Sequence, residues 1–131
     1  MRFVDTSFWV ALLLQHDRNH LQAKAIWGAD PGALLTTNHV LGETWTYLRR
    51  RAGHSSAVAF LDAAGSSDRL SIEPVGPPAE AEAWRWLRRH DEREYSFVDA
   101  TSFVVMRADR IGEALAFDGD FAAAGFVELR F

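Results

Sequence analysis

Short apolar runs that alternate with helix-like segments are the feature that most limits the fold of this chain. Strand signals, which are apolar runs ending in polar or turn residues, occur at residues 3–4, 33–35, 70–75, 114–117 and 126–129. Between them apolar residues recur at helical spacing, as at Leu41, Trp45 and Leu48. This alternation predicts an α/β domain with a mainly parallel central sheet of about five strands and helices on both faces.

Length and composition place the chain among globular proteins of one domain. It has 131 residues, of which 48% are hydrophobic and 12% aromatic, and this favours a packed core over disorder. No apolar run approaches the ~20 residues that a membrane helix needs. Because the chain has no cysteine, it cannot form disulfides or a thiolate metal site, which is compatible with a cytoplasmic protein.

Arginines form clusters in a chain that is acidic overall. The net charge is −4 and Lys24 is the only lysine, so the whole surface is not suited to binding polyanions. One cluster is Arg49, Arg50 and Arg51, and a second lies between residues 85 and 93. Since the planar guanidinium group suits phosphate, these clusters are either solvated helix faces or a local footprint for nucleic acid.

Two aspartates follow strand signals. Asp5 ends the first run in "FVDTS", and Asp118 follows the fourth in "LAFDGDF". In parallel α/β sheets, functional sites gather at the carboxyl ends of the strands. Each aspartate also has a local explanation: Asp5 can cap a helix, although Thr6 and Ser7 could do so equally well, and Asp118 with Gly119 forms a common turn pair. Asp120 is a peripheral candidate by position.

Two further acids lie in helix patterns. Glu43 has His39, Val40 and Tyr47 as helical neighbours, and a carboxylate on such a mixed face is costly to bury unless it is paired or bound to metal. Asp99 lies three residues after Ser96, the spacing of a capping box. That first-turn position also points a carboxylate out of the edge of the sheet, so both explanations of Asp99 are compatible.

Crowding of these acids would require a cation. Three or four carboxylates at one edge of the sheet repel one another unless positive charge neutralises them. Oxygen ligands without cysteine or a paired histidine motif favour Mg²⁺ or Mn²⁺ over Zn²⁺. A carboxylate-held Mg²⁺ suits phosphate chemistry, because it activates a water and steadies the charge that develops on phosphate and leaving oxygen.

The order and context of these acids resemble the PIN-domain family, and in particular the small ribonuclease toxins of VapBC toxin–antitoxin systems. The matching segments are "FVDTS", Glu43 in a helix after the second strand signal, "SFVDATSFVVM" and "AFDGDF". The resemblance covers essentially the whole chain. It implies a single PIN domain over residues 1–131, with a Rossmann-like three-layer α/β/α architecture, and a Mg²⁺-dependent endoribonuclease in which Mn²⁺ can substitute.

The resemblance also implies roles for individual residues. Asp5, Glu43, Asp99 and Asp118 match the acidic quartet of the family; Asp5 and Asp99 would hold the metal, with Glu43 and Asp118 acting directly or through water. Thr6 or Ser7 matches the hydroxyl that follows the first acid. Many relatives have Thr or Ser two residues before the fourth acid, whereas this chain has Ala116. Arg49, Arg50 and Arg51 would then flank the site and contact the RNA backbone.

The implied partners are RNA as substrate and a cognate VapB-type antitoxin that neutralises the activity. Family members usually form homodimers, so we expect a homodimer and a heterotetramer or larger complex with the antitoxin, without a membrane. Trp9, Trp45 and Trp84 fit apolar stripes and are predicted to be core, whereas Trp86 lies at a stripe edge and is a candidate interface anchor.

Two other functions are alternatives to the nuclease. A haloacid dehalogenase-type phosphatase needs a second aspartate two residues after the first, where this chain has Ser7, and a downstream lysine, where only Lys24 is present. The sequence therefore disfavours it. The remaining alternative is a non-catalytic PIN module that serves as a binding or scaffold protein, but such modules have generally lost one or more of the acids.

Overall fold

The computed structural model describes residues 1–131 as alternating strands and helices. The strands are β1 Arg2–Val4, β2 Leu34–Thr37, β3 Leu70–Glu73, β4 Glu113–Leu115 and β5 Val127–Glu128. The helices are α1 Thr6–Leu13, α2 His20–Gly28, α3 Asn38–Ala52, α4 His54–Ser66, α5 Pro77–Arg88, α6 Phe97–Ala108 and α7 Asp120–Ala123. All five predicted strand signals correspond to observed strands. None of the helices combines the length and the apolar character needed to cross a membrane.

The five strands form one parallel sheet in the order β3-β2-β1-β4-β5. The central strand β1 pairs with β2 through Phe3 and Leu35 and with β4 through Phe3 and Ala114. Phe3 and Val4 are completely buried, because both faces of a parallel sheet are covered. The predicted α/β class with a mainly parallel sheet is confirmed.

The helices form a layer on each face of the sheet. Contacts join α1 with α2 and α3, and α3 with α4, whereas α5 packs on α6 and α6 on α7. The chain runs outwards from β1 through β2 to β3, and then crosses back to the other side of β1 to form β4 and β5. Because each crossover is right-handed, the reversal of direction places the first four helices on one face of the sheet and the last three on the other. The predicted three-layer α/β/α architecture is therefore confirmed.

An aromatic cluster fills the layer between the sheet and α5–α6. The rings of Phe103 and Phe121 lie 5.0 Å apart, and those of Trp86 and Phe103 lie 5.2 Å apart. Trp86 is only 8% exposed, whereas Trp84 is 53% exposed and stacks on Phe97. The predicted roles of these two tryptophans were therefore wrong, because the buried stripe of α5 passes through Ala83 and Trp86. Trp9 is buried as predicted, and Trp45 is half-buried.

The sheet order creates a switch point between β1 and β4. The chain leaves these neighbouring strands towards opposite faces of the sheet, and a crevice opens at their carboxyl ends. Asp5 directly follows β1, and Asp118 comes shortly after β4. The topology therefore brings together two acids that are more than a hundred residues apart in sequence.

Candidate active site

Asp5 begins α1 and also faces the site. Its Oδ2 accepts hydrogen bonds from the backbone N–H of Ser7 at 3.1 Å and from the Ser7 hydroxyl at 2.7 Å. Of the three residues that the sequence offers as a cap, Asp5 is therefore the one that caps α1. Oδ1 of Asp5 accepts no hydrogen bond within the chain, although the residue is only 2% exposed. One carboxylate thus caps the helix and keeps an oxygen for another ligand.

Asp99 uses its carboxylate in the same divided way. Its Oδ2 accepts a hydrogen bond from the backbone N–H of Ser96 at 3.0 Å, and its own N–H donates to the Ser96 hydroxyl at 2.9 Å. This is the capping box that the sequence predicts at the start of α6. Asp99 is 7% exposed, and its other oxygen has no partner within the chain.

Asp118 lies in the turn that leads to α7. Its Oδ1 accepts a hydrogen bond from the backbone N–H of Asp120 at 3.1 Å, which leaves Oδ2 without a partner. Gly119 between them has φ of 82°, a left-handed conformation in which glycine is favoured. On the far side, Asp120 accepts a hydrogen bond from Nε of Arg93 at 2.9 Å. The turn thereby directs two neighbouring acids towards α6.

Three of the acids form a cluster that could hold a cation. One carboxylate oxygen from each of Asp99, Asp118 and Asp120 lies within 4.8 Å of the others. Asp5 is electrostatically coupled to the same group, because the charges of Asp118 and Asp99 both raise its pKa. Asp120, a peripheral candidate by sequence, is therefore part of the cluster. We call Asp5, Asp99, Asp118 and Asp120 the acidic centre.

Asp5, Asp99 and Asp118 of the acidic centre have raised pKa values. Burial, and then the charge of Asp118, raise the pKa of Asp5 well above its ordinary value despite the bonds from Ser7. Burial also raises the pKa of Asp99 to about 7. Asp118 is exposed at the cavity, yet the protein around its carboxylate displaces enough water to raise its pKa, and Asp120 adds to the effect.

The donor set suits a hard divalent cation. The acidic centre offers carboxylate oxygens without sulfur or imidazole, and its three unpartnered oxygens on Asp5, Asp99 and Asp118 are the kind of ligand that Mg²⁺ and Mn²⁺ prefer. A bound cation would replace the mutual repulsion of the carboxylates with attraction. The residues present therefore fit such an ion.

Glu43 lies outside the acidic centre but lines a cavity next to it. The sequence left open whether this carboxylate is buried, and the structure shows it exposed on α3. Glu43 lines a cavity of about 440 Å³ together with Asp5, Ser7 and Asp118. All four acids of the predicted quartet thus lie at one edge of the sheet, because Asp5, Glu43 and Asp118 line one cavity and Asp99 clusters with Asp118.

The two hydroxyls after Asp5 have different neighbours. The Ser7 hydroxyl donates to Asp5 and accepts a hydrogen bond from the backbone N–H of Phe117 at 2.9 Å, so it joins Asp5 to the segment that carries Asp118. The hydroxyl of Thr6 lies 3.3 Å from that of Thr44 on α3. Ala116 is completely buried, so the position that carries a hydroxyl in many relatives contributes a methyl group to the core.

The arginines at positions 49–51 differ in their position relative to the site. A second cavity of about 610 Å³ adjoins the first and is lined by Glu43, Tyr47, Arg50 and Arg51. Arg49 points away, because it lies on another face of α3. A third cavity, of about 470 Å³ beside α1 and α4, has no ionisable side chain in its lining and is not the site.

Three residues at the site were not singled out from the sequence. Arg18 lines the cavity beside Asp5, and its only signal was its place in the polar break "QHDRNH" between α1 and α2. Tyr47 lines both cavities, and its signal was its position one helical turn after Glu43. Arg93 contacts Asp120 from 27 positions away, and no local pattern indicates that pairing.

Comparison with known proteins agrees with this geometry. The model of the PIN domain matches residues 2–127. The 23S rRNA-specific endonuclease VapC20 of Mycobacterium tuberculosis is 58% identical over 130 residues, which span 99% of this chain and 98% of the relative, in both strain H37Rv and strain CDC 1551. The crystal structure of M. tuberculosis VapC20, described as a sarcin–ricin loop cleaving toxin, superposes with a TM-score of 0.95 at 56% identity over the full length of both chains. The chain belongs to the PIN-domain family, on its VapC branch.

Proposed function

We propose that this protein is a Mg²⁺-dependent endoribonuclease toxin. The observation that carries the proposal is the acidic centre, in which Asp5, Asp99 and Asp118 each use one oxygen locally and keep the other free. A carboxylate cluster of this kind favours a divalent cation and, with it, phosphodiester chemistry. The alternative of a non-catalytic binding or scaffold module is disfavoured, because none of the four acids is missing: Asp5, Glu43 and Asp118 line one cavity, and Asp99 clusters with Asp118.

In this proposal each acid has a defined role. Asp5 and Asp99 would hold Mg²⁺ through their unpartnered oxygens, Asp118 would complete the site, and Glu43, which lines the same cavity, would act directly or through water. The bound cation would supply a Lewis acid that makes an attacking water more acidic and offsets charge on the phosphate. Asp120 supports the centre and is itself oriented by Arg93.

The surrounding residues keep these acids in position. Ser7 contacts both Asp5 and the backbone of Phe117, so the carboxylates from β1 and β4 have a common support. Such preorganisation matters, because a misplacement of about 1 Å in a catalytic group can cost on the order of a hundredfold in rate. The hydrogen bonds that cap α1 and α6 thus also orient the acids.

For the substrate we propose 23S rRNA, cleaved at the sarcin–ricin loop. VapC20 is named for 23S rRNA and described as cleaving that loop, and it matches this chain at 58% identity over 99% of its length. A loop also suits the site, since proteins read RNA mainly in unstacked single-stranded segments.

The experiment that tests the function is cleavage mapping. The purified protein is incubated with intact ribosomes and Mg²⁺, and the ends of 23S rRNA are located by primer extension. We expect one new end within the sarcin–ricin loop, which EDTA abolishes and Mn²⁺ restores. RNA that stays intact with both metals, while still binding the protein, would instead support the scaffold alternative.

We further propose that a cognate VapB-type antitoxin neutralises the protein in the cytoplasm. The toxin alone would be a homodimer, and with the antitoxin it would form a heterotetramer or larger complex. Expression without the neighbouring antitoxin frame should arrest growth, and coexpression should relieve the arrest. The mass of the purified complex, measured by light scattering, gives the stoichiometry.

Arg50 and Arg51 are expected to contact the RNA backbone, whereas Arg49 is not. Replacement of Arg50 or Arg51 with alanine should lower kcat/KM roughly fivefold each, the effect of one solvent-exposed ionic contact. Each should also reduce the slope of log Kd against log salt by about 0.7. Arg49→Ala is the matched control, since it removes the same charge from the same helix outside the cavity. Equal losses in all three variants would contradict the assignment.

A further inference from the structure

Two neighbouring cavities share Glu43 and Tyr47, the only residues that line both of them. One cavity contains Asp5 and Asp118, and the other contains Arg50 and Arg51. The two residues are separated by one turn of α3, so their side chains lie next to each other on the same face. Tyr47 therefore stands at the passage between the carboxylates and the arginines.

The ring of Tyr47 lies beside a guanidinium group and is partly open. The guanidinium carbon of Arg51, one turn further along α3, lies 5.1 Å from the centre of the ring. Gly42, which has no side chain, and Thr46, whose side chain is small, line the same cavity. The residue is half-buried, so part of the ring remains accessible. A partly accessible aromatic ring is suited to stacking a planar group.

Cations lie on both sides of the passage. Arg50 and Arg51 are exposed on one side, and Arg18 is exposed on the other, beside Asp5 and Asp17. None of the three forms a salt bridge within the chain. Unpaired arginines at both ends of an aromatic residue form the pattern by which proteins bind single-stranded nucleic acid, with phosphates on the cations and a base on the ring.

We propose that Tyr47 stacks against a base of the RNA next to the cleaved phosphate, on a strand that runs from the Arg18 side to the Arg50 and Arg51 side. The proposal rests on the proposed ribonuclease function and adds a substrate-binding residue to it. Tyr47 contributes binding through its ring face, and its hydroxyl is not required. The alternative is a purely structural role, in which Tyr47 packs on α3 and supports Glu43.

The test distinguishes the loss of the Tyr47 ring from a loss of the folded structure. RNA binding is measured by fluorescence anisotropy in an Asp99→Asn background with Mg²⁺ present, using a single-stranded oligonucleotide with the sarcin–ricin loop sequence. Tyr47→Leu should weaken binding roughly ten- to a hundredfold, the range for loss of one stacked base. Tyr47→Phe and Tyr47→Trp keep a ring and should rescue binding. Thermal melting of every variant shows whether the fold is retained.

A second readout reports stacking directly. A 2-aminopurine base is placed in turn at each position beside the cleavage site, and we expect its fluorescence to be quenched on binding at one position only. Tyr47→Leu should remove this quenching, and Tyr47→Trp should keep it. A purely structural role for Tyr47 would leave the quenching unchanged in every variant that folds.

The outcomes distinguish this proposal from the ribonuclease function. If the wild-type protein cleaves RNA and Tyr47→Leu cleaves, binds and quenches like the wild type, Tyr47 is not a stacking residue, but the function stands. If Tyr47→Phe loses as much binding as Tyr47→Leu, the hydroxyl is what matters and the stacking proposal is wrong. Failure of the wild-type protein to cleave any RNA would instead overturn the function on which the proposal rests.

Discussion

Replacement of Asp5 or Asp99 with asparagine should lower the rate of RNA cleavage by roughly a thousandfold or more, because a metal-holding charge contributes several kcal/mol to transition-state stabilisation. Each substitution removes one negative charge from the acidic centre and leaves the shape of the side chain unchanged. Growth arrest on expression should disappear together with cleavage. Asp5→Ala and Asp99→Ala should be at least as inactive.

Asparagine is chosen because it preserves the local structure. Its carbonyl oxygen can accept the hydrogen bonds that Oδ2 of Asp5 receives from Ser7, or the one that Oδ2 of Asp99 receives from Ser96. The caps of α1 and α6 therefore remain, and loss of activity cannot be attributed to unfolding. Alanine would remove these caps and cost about 1 kcal/mol of stability in each helix.

Cleavage of 23S rRNA under single-turnover conditions measures the effect. Asp62→Asn is the matched control, since Asp62 is an exposed aspartate of α4 that lines none of the three cavities. The control should cleave at the wild-type rate. A variant of Asp5 or Asp99 that cleaves as fast as the control would exclude that residue from the metal site.

The second large effect is a loss of stability in the metal-free protein as the pH rises. The pKa of Asp99 is raised to about 7 in the folded protein, whereas an unfolded aspartate titrates near 3.9. Below the unfolded pKa the carboxyl is protonated in both states, and its full contribution to stability is present. Between the two values only the unfolded state loses the proton, so stability falls until the pH passes the folded pKa.

The size of this effect follows from the shift. Between pH 5 and pH 8 the free energy of unfolding in EDTA should fall by roughly 2–3 kcal/mol from Asp99 alone, and Asp5 adds to the same direction because its pKa is also raised. The lowered pKa values of Asp30 and Glu92 work in the opposite sense, but these groups stay ionised over the chosen range. Thermal melting should show a decrease on the order of 10 °C.

Two comparisons test the cause of this instability. Asp99→Asn in EDTA should lose much of the pH dependence and should melt above the wild-type protein at pH 8, because the buried charge is gone. Addition of Mg²⁺ at pH 8 should raise the melting temperature of the wild-type protein, since a cation that binds only the folded state stabilises it. If Asp99→Asn has the same pH profile as the wild type, the pH dependence of stability does not come from Asp99.

Local patterns were sufficient to predict most of the fold. Each strand is a short apolar run that ends in polar or turn residues, and burial on both faces of a parallel sheet requires such runs. The capping box of Ser96 and Asp99 was also predictable, because both partners lie within one helical turn. The position of Asp5 and Asp118 after strands was enough to predict that they share an edge.

Predictions about faces of helices were less reliable. The sequence predicted Trp84 as the core residue of α5 and Trp86 as the edge residue, whereas Trp86 is buried and Trp84 is exposed. Rotating the apolar face of α5 by part of a turn is enough to replace one tryptophan with the other. For Glu43 the sequence left burial open, and the structure shows the side chain exposed. In each case the helical period was right, but the direction of the core was set by neighbouring elements far away in sequence.

The sequence by itself determined the alternation of strands and helices, the acids that follow strands, and the absence of cysteine ligands. The tertiary structure alone decided which carboxylate oxygens remain free and that Asp120, which Arg93 contacts, joins the acidic centre. It also decided that Arg50 and Arg51 face the cavity whereas Arg49 does not. The reason is physical. Apolar patterning and helix caps act within a few residues, but the pKa of a carboxylate depends on every charge and atom that folding places around it.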